Sequence, residues 1–360
     1  MDKIGTTSRQ RLPASGLTIE EVRAAYFDAD ALRVTPEPLY RIDGNGWRYY
    51  YAMREDGPQF YISATSLVGA TLPQSPFLIQ WMKEQGERAD EIRDTKAAYG
   101  TLMHVLVSRL IIDRSLSVDF DALDSEVRAY MQREGLTYNT DGWAARLQRD
   151  LVALAAWLVE RKAKPLAVEI MLASKDGYAG TIDLVCEMED MEEVMVLNEN
   201  PRSKYCGQMV KEKRSCTVRA MIDWKSGGIW DSHAVQMELY RRIWEEHFPE
   251  LPIGRMYNVS PKDWLTAPGC TEKDQSGAPL RAAVPILLDL WKIIGRPQPT
   301  LRQRIDGTIT LDGDPSACVK SQDIMSVATG AARHMGADIE ALPSFAGAGD
   351  GLETETKEAA

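Results

Sequence analysis

AMIDWKSGGIWDSHAVQMELY, Ala220 to Tyr240, is the stretch around which the chain is organised. It opens on Ala220-Met221-Ile222, a short apolar run of the kind that forms a buried strand. Asp223 ends the run and Lys225 follows Trp224. Side chains alternate along a strand, so Asp223 and Lys225 share a face and Trp224 packs behind them. An aspartate can hold a divalent cation, and a lysine beside that cation can orient or deprotonate a water. Asp-x-Lys at a strand end also serves as an ordinary exposed ion pair, so the motif takes its meaning from the rest of the chain. Ser226-Gly227-Gly228 breaks the strand. From about Asp231 the pattern turns helical, with Gln236 and Tyr240 on one face.

Upstream, PLAVEIMLASKDGYAGTIDLVCEM (165–188) reads as a strand over Ala167–Ala173, a turn at Lys175-Asp176-Gly177 and a strand over Gly180–Glu187. The second strand carries Asp183 amid apolar residues, where an acid requires a cationic partner or a metal. A core Arg or Lys would satisfy it as well as an ion. Glu169, on the preceding strand, either faces the same cavity or stands as a solvated strand-edge acid. Further back, a helix from about Asp90 to Asp113 contains YGTLMHVLVSRLI, apolar nearly all round and therefore buried. His104 sits in its middle, as a ligand or as a satisfied core histidine. Residues 119–163 read as further helices, of which DGWAARLQRDLVALAAWLVERK has clear helical periodicity.

The flanks complete the layout. Residues 1–35 are polar, with a short helix expected over Thr18–Tyr26. LYRIDGNGWRYYYAMREDGPQFYISA reads as a β-meander turning at Asp43-Gly44 and Asp56-Gly57. Two short helices follow, the first capped by Ser63 or Thr65, the second begun by Ser75-Pro76. Residues 187–219 switch from acidic (EMEDMEEVMVLNEN) to basic (PRSKYCGQMVKEKRS) without hydrophobic periodicity. They are expected to interrupt the sheet as an elaborated hairpin or a partly disordered loop, outside the core and removable. The basic half is either a phosphate contact or a solvated face. RMYNVSPKDW is a strand entering a loop, and GAPLRAAVPILLDLWKII is a final helix. The domain layout is then an N-terminal polar segment (1–35), one domain (36–295) and a tail (296–360) whose small, acidic end is expected to be disordered.

Composition sets limits. At 44% hydrophobic and 26% charged the chain is of ordinary globular type, and no apolar run reaches the roughly 18 residues that span a bilayer. MDKIGTTSRQ has no hydrophobic signal segment, and five scattered cysteines without Cys-x-x-Cys suggest neither a zinc site nor a disulfide framework. These readings point to a cytoplasmic protein with reduced thiols. The formal net charge of −11 argues against a nucleic-acid partner held by a basic surface. A metal-dependent site supplies its own positive charge, so a nucleic-acid substrate is not excluded.

Taken in order, GTLMH on a helix, GTIDLV and IDWK on strands and QMELY on a helix resemble the PD-(D/E)XK nuclease superfamily, in its RecB-like exonuclease branch of phage type. The resemblance covers roughly residues 59–265, including ISATSLVGATLP and LIQWMKEQG upstream of the histidine helix. It implies an α/β fold: a restriction-endonuclease-like core with a central mixed sheet flanked by helices, here with added N-terminal strands and helices. It also implies a metal-dependent exodeoxyribonuclease for recombination or repair, with an endonuclease or a catalytically inactive DNA- or protein-binding module as alternatives. His104, Asp183, Asp223 and the Trp224 carbonyl would hold magnesium or manganese, and Lys225 would position the water. Glu169 would serve as a further carboxylate, and Gln236 and Tyr240 would hold the DNA strand or the lysine. DNA, as linear duplex or single-stranded ends, would be the partner, with room for a recombination protein and none for a membrane. A phage-encoded chain would work in the host cytoplasm. No iron–sulfur cluster is expected, because the cysteines are not clustered. The separation of Asp183 from Asp223 exceeds the tight hairpin usual in the family, and residues 187–219 account for it.

Overall fold

The computed structural model describes residues 26–27, 37–44, 47–295, 299, 302–305 and 319–325. In chain order its first strands are β1 (Tyr26–Phe27), β2 (Tyr40–Gly44), β3 (Trp47–Arg54) and β4 (Gly57–Ser63). Helices α1 (Ala64–Thr71), α2 (Pro76–Gln85), α3 (Ala89–Asp113), α4 (Phe120–Arg133) and α5 (Trp143–Glu160) follow. Then come β5 (Lys164–Ala173), β6 (Tyr178–Leu197), β7 (Met209–Trp224), α6 (Ser232–His247), β8 (Arg255–Pro261), β9 (Cys270–Asp274) and α7 (Val284–Ile294). Ser63 caps α1 by accepting the Ser66 N–H at 2.9 Å, and Pro76 starts α2.

These elements form a mixed α/β fold, a central mixed sheet with helices on both faces. Leu67 of α1, Met237, Ile243 and Trp244 of α6, and Leu287 of α7 pack on one face with Ile170, Leu172 and Met221. Leu102 and Leu106 of α3, Val127 of α4, and Leu151 and Trp157 of α5 pack on the other with Val168, Leu184, Ile222 and Trp224. Each such fully buried side chain contributes about 1.5–3 kcal/mol.

Strand β6 is the axis of the sheet. Along one edge, residues 179–187 pair antiparallel with β5. On the opposite edge, Tyr178 and Ala179 pair parallel with Ile62 and Ser63 of β4, and β7 pairs from Leu184 onward. Residues 180–183 of that edge therefore fall in a fork between β4 and β7. β8 continues parallel to β7, because α6 returns the chain across one face.

Both β5 and β6 switch faces at this fork. Val168 and Leu184 belong to one core, whereas Ile170 and Ile182, two residues away, belong to the other. Regular alternation would keep each pair on one face. The residues at the switch are Glu169 and Asp183, the facing pair skipped in the ladder between Val168↔Leu184 and Ile170↔Ile182. Glu169 has φ 50°, a left-handed conformation that costs a non-glycine residue about 1–3 kcal/mol.

Residues 187–219, expected to interrupt the sheet as an elaborated hairpin or a partly disordered loop, form the hairpin, and it continues the sheet. The β6–β7 ladder runs unbroken from Leu184↔Ile222 to Leu197↔Met209, and Gly207 N donates to Asn198 O at 2.8 Å to close the turn. The base of this arm is core, not insertion: Met188 and Asp190 are buried. Two further expectations concern the ends of the chain. The helix over Thr18–Tyr26 lies outside the described residues except at Tyr26, which stands in β1. In the expected tail, β10 (Arg302–Ile305) and β11 (Val319–Met325) pair antiparallel, and apart from Pro299 the rest lies outside the described residues. Among the described residues no helix is long and apolar enough to cross a membrane.

Candidate metal centre

At the fork, three side chains from three elements converge. His104 comes from the middle of α3, Glu169 from the kink of β5 and Asp183 from β6. One ligand atom of each lies within 4.8 Å of the other two. His104 Nδ1 stands 3.4 Å from Asp183 Oδ2 and 3.6 Å from Glu169 Oε1. Its other nitrogen, Nε2, lies 3.0 Å from the Trp224 carbonyl, so the ring joins α3 to the end of β7. Asp183 Oδ2 also accepts the Trp224 N–H at 2.8 Å, and Ser108, one turn beyond His104, donates to Glu169 Oε1 at 3.4 Å. Both carboxylates are buried.

Two glycines let these elements meet. A Cβ on Gly180 would sit 2.4 Å from the Tyr240 ring, so only glycine admits that ring against β6. A Cβ on Gly100, one turn before His104, would come within 2.8 Å of Ser226 Oγ. The Gly-Thr dipeptides in the histidine helix and in the aspartate strand thus have a packing reason.

Asp223 and Lys225 share a face, as alternation requires, and Trp224 is buried in the opposite core, edge-on to Trp157 at 5.7 Å. Asp223 is not one of the three convergent residues. Its Oδ2 is occupied by Lys225 Nζ at 2.6 Å and by Asn258 Nδ2 at 2.5 Å. Lys225 Nζ in turn donates to Gln236 Oε1 at 3.4 Å, and Gln236 Nε2 donates to the Tyr240 hydroxyl at 2.9 Å. The i and i+4 pair on α6 therefore holds the lysine from behind. Burial, then the neighbouring Tyr50, Asp223 and Asp183, push the Tyr240 phenol up, so it stays neutral at any working pH.

Five polar residues around this centre escaped the sequence reading. Ser108 and Asn258 are described above, and Gln275 Nε2 donates to Asn258 Oδ1 at 2.8 Å, completing a buried relay to Asp223. Arg146 reaches the Ser226 carbonyl, and Asp150 beneath it accepts from the Tyr99 hydroxyl. For Ser108 a signal existed, its place one turn after His104 on the same face. The others are brought in by separate elements, and no local pattern announces them.

Electrostatically the two parts of the centre differ. Asp223 is neutralised by Lys225. Asp183 and Glu169 face one imidazole between them. Burial alone would lower the His104 pKa, but the Asp183 charge and hydrogen bond, with those of Glu169, outweigh it and raise it to about 10. The ring is then an imidazolium at neutral pH, a single positive charge between two carboxylates. That donor set, one imidazole nitrogen and two carboxylate oxygens beside a backbone carbonyl, fits a hard divalent cation in place of the proton. His233, half-buried near Lys225, is pushed the other way, to about 4, by desolvation and then by the lysine charge.

No protein-family model matches the chain, and a search of curated proteins returned no match.

Proposed function

We propose that the chain is a metal-dependent nuclease of the PD-(D/E)XK type, in the RecB-like exonuclease branch, hydrolysing phosphodiester bonds of DNA. The observation that carries the reading is the convergence at the fork. His104, Glu169 and Asp183 lie within 4.8 Å of one another, and the Trp224 carbonyl and the Asp223–Lys225 pair adjoin them from the end of β7. The central mixed sheet with helices on both faces is compatible with a restriction-endonuclease-like core elaborated by the β2–β4 meander. A phage-type role in recombination or repair, in the cytoplasm of a host cell, fits this reading.

His104, Asp183 and Glu169 would hold magnesium or manganese, with the Trp224 carbonyl and the Asp223 carboxylate as the further oxygen donors that the resemblance implies. Such an ion supplies Lewis acidity toward a phosphoryl oxygen and a water. The remaining roles belong to the chain. Lys225 places an ammonium beside the centre, where it stabilises negative charge that grows during attack on phosphorus. Gln236 and Tyr240 fix that ammonium, and Asn258 with Gln275 fixes the Asp223 carboxylate. Imidazole must give up its proton for the ion to bind, so ion and proton compete at His104.

Digestion of a linear duplex labelled separately at each end, with and without manganese, tests the reading. Manganese-dependent release of mononucleotides or short products from an end is expected. A supercoiled circle should remain intact, and cutting of it would assign the fold to an endonuclease. No cleavage of any DNA with either metal would overturn the proposal.

A further inference from the structure

We infer that Arg146 is a substrate-contacting residue of this centre and binds a phosphodiester group next to the one that is cut; the inference rests on the nuclease reading above. Arg146 stands near the start of α5, and its guanidinium lies 4.2 Å over the Tyr99 ring. Nη2 donates to the Ser226 carbonyl at 2.7 Å, and Nε stands 3.5 Å from Asp150 Oδ2. Asp150 is itself fixed by the Tyr99 hydroxyl at 2.7 Å, and both of those residues are buried.

Arg146 stays accessible despite these three contacts. Arg161, held by Asp190 and Glu272, keeps 19% of its side chain exposed, whereas Arg146 keeps 50%. Of its five N–H groups, only those toward Ser226 and Asp150 are engaged in these contacts, and the exposed edge can present a fork of donors to a planar or tetrahedral anion. Stacking on an aromatic ring and a fixed rotamer mean that little freedom is left to lose on binding.

The anchors place this fork at the centre. Tyr99 precedes His104 by five residues on α3, about 7.5 Å along the helix axis at ~1.5 Å per residue. Ser226 directly follows Lys225. The need for a cation there follows from charge. The chain carries a net charge of −11; Lys225 and Arg146 each have a carboxylate partner, but Lys225 is 18% exposed and Arg146 50%. A polyanion approaching two buried carboxylates gains from an accessible positive group at the mouth, and Arg146 is placed to be that group.

The test uses the full chain and a short fluorescein-labelled duplex, with calcium as the ion to hold back cleavage, and reads affinity by anisotropy over a salt series. Arg146→Gln should weaken binding about tenfold and make the log–log salt slope shallower by about 0.9, the mark of one lost phosphate contact. In manganese it should raise KM about tenfold with kcat little changed, while manganese affinity and Tm stay near wild type. Arg146→Lys keeps the charge but not the fork, so it should keep the slope and lose a few-fold in affinity. An unchanged slope and KM in Arg146→Gln, with wild type active, overturns this inference alone. If Arg146→Gln does not fold, wild-type affinity in Arg146→Lys overturns it. A wild-type chain that neither binds nor cleaves DNA overturns the nuclease reading and this inference together.

Discussion

Asp183 and Asp190 are buried aspartates on the same strand, β6, and their surroundings differ in one respect. Asp190 Oδ1 takes Arg161 at 3.1 Å and the Met191 N–H at 2.8 Å, and Oδ2 takes Arg255 at 3.3 Å and the Tyr257 hydroxyl at 2.7 Å. Arg161 also pairs with Glu272. Two carboxylates therefore meet two guanidiniums. Burial would raise the Asp190 pKa, but these hydrogen bonds and charges outweigh it and hold the carboxyl below its usual value. At Asp183, two carboxylates meet one imidazole, and among the described residues no Arg or Lys lies within ion-pair distance of Asp183. The first cluster is closed and fastens the base of the β6–β7 arm to α5 and β8. The second pairs its two carboxylates with an imidazole, and with no guanidinium or ammonium at Asp183 among the described residues. Burial of an acid does not by itself distinguish structure from site; the charge balance around it does.

The contrast can be broken most forcefully through activity. Lys225→Ala should reduce cleavage of a linear duplex by a hundredfold or more, about 3 kcal/mol or more in transition-state energy, without weakening manganese binding. Asp183→Asn should lose cleavage and manganese affinity together. Near-normal turnover by the lysine variant, or unchanged manganese affinity in the aspartate variant measured by titration calorimetry, would dissolve the distinction between the two clusters.

Stability should respond in the opposite sense. Asp190→Ala leaves two guanidiniums facing each other and should cost about 3 kcal/mol in urea unfolding, a figure already reduced for the part exposure of Arg255. Asp183→Asn removes the repulsion from Glu169 together with part of the charge that holds the imidazolium, so metal-free stability should fall by less than in Asp190→Ala. Equal losses in the two variants would mean that both clusters are structural.

The open cluster should also couple ion to proton. His104 is raised to about 10, so it is protonated at neutral pH and must be neutral to hold an ion. Manganese affinity should therefore rise with pH, by up to tenfold per unit between about pH 6.5 and 8.5, with one proton released per ion. Calorimetry in buffers of different ionisation enthalpy reads that proton directly, and His104→Gln should abolish the release. A pH-independent affinity in the wild type would show that the ring does not take part.

The smallest effect is expected beyond Asp190 on the arm. Replacing residues 194–212 by Asn-Gly, so that Glu193 and Lys213 flank a two-residue turn, should shift stability by less than about 1 kcal/mol. Removing Glu189–Lys213 instead takes out Asp190 and should cost as much as Asp190→Ala. A cooperative loss of structure in the shorter deletion would extend the closed cluster to the tip of the arm.

The charge pattern of this arm decides between its two expected forms, hairpin or loop, only in hindsight. Its acidic first half and basic second half look like a charge run in a loop. In the ladder they face each other, Glu187 with Arg219, Glu192 with Arg214 and Glu193 with Lys213. Near-mirror charge complementarity about the turn was present in the sequence, and its meaning depends on the register of pairing. The three-residue group shows the reverse. His104, Asp183 and Glu169 were each legible as candidates, but Glu169 took a subordinate place because nothing local announces a left-handed residue inside a strand.

What the sequence by itself determined is whatever follows from a short repeat. Period two put Asp223 and Lys225 on one face and Trp224 behind them, and period 3.6 aligned Gln236 with Tyr240 and buried the helix around His104. Asp-Gly pairs marked the meander, although Asp43 and Gly44, expected as a turn, pair with Arg48 and Trp47 in the β2–β3 ladder, and Ser63 marked the start of α1. Tertiary structure alone decided which acids share a cavity and which are neutralised. The kink at Glu169, the fork in β6, the Asn258–Gln275 relay and the closed cluster at Asp190 join residues from separate elements. Their energies depend on distance and burial, and separation along the chain carries neither.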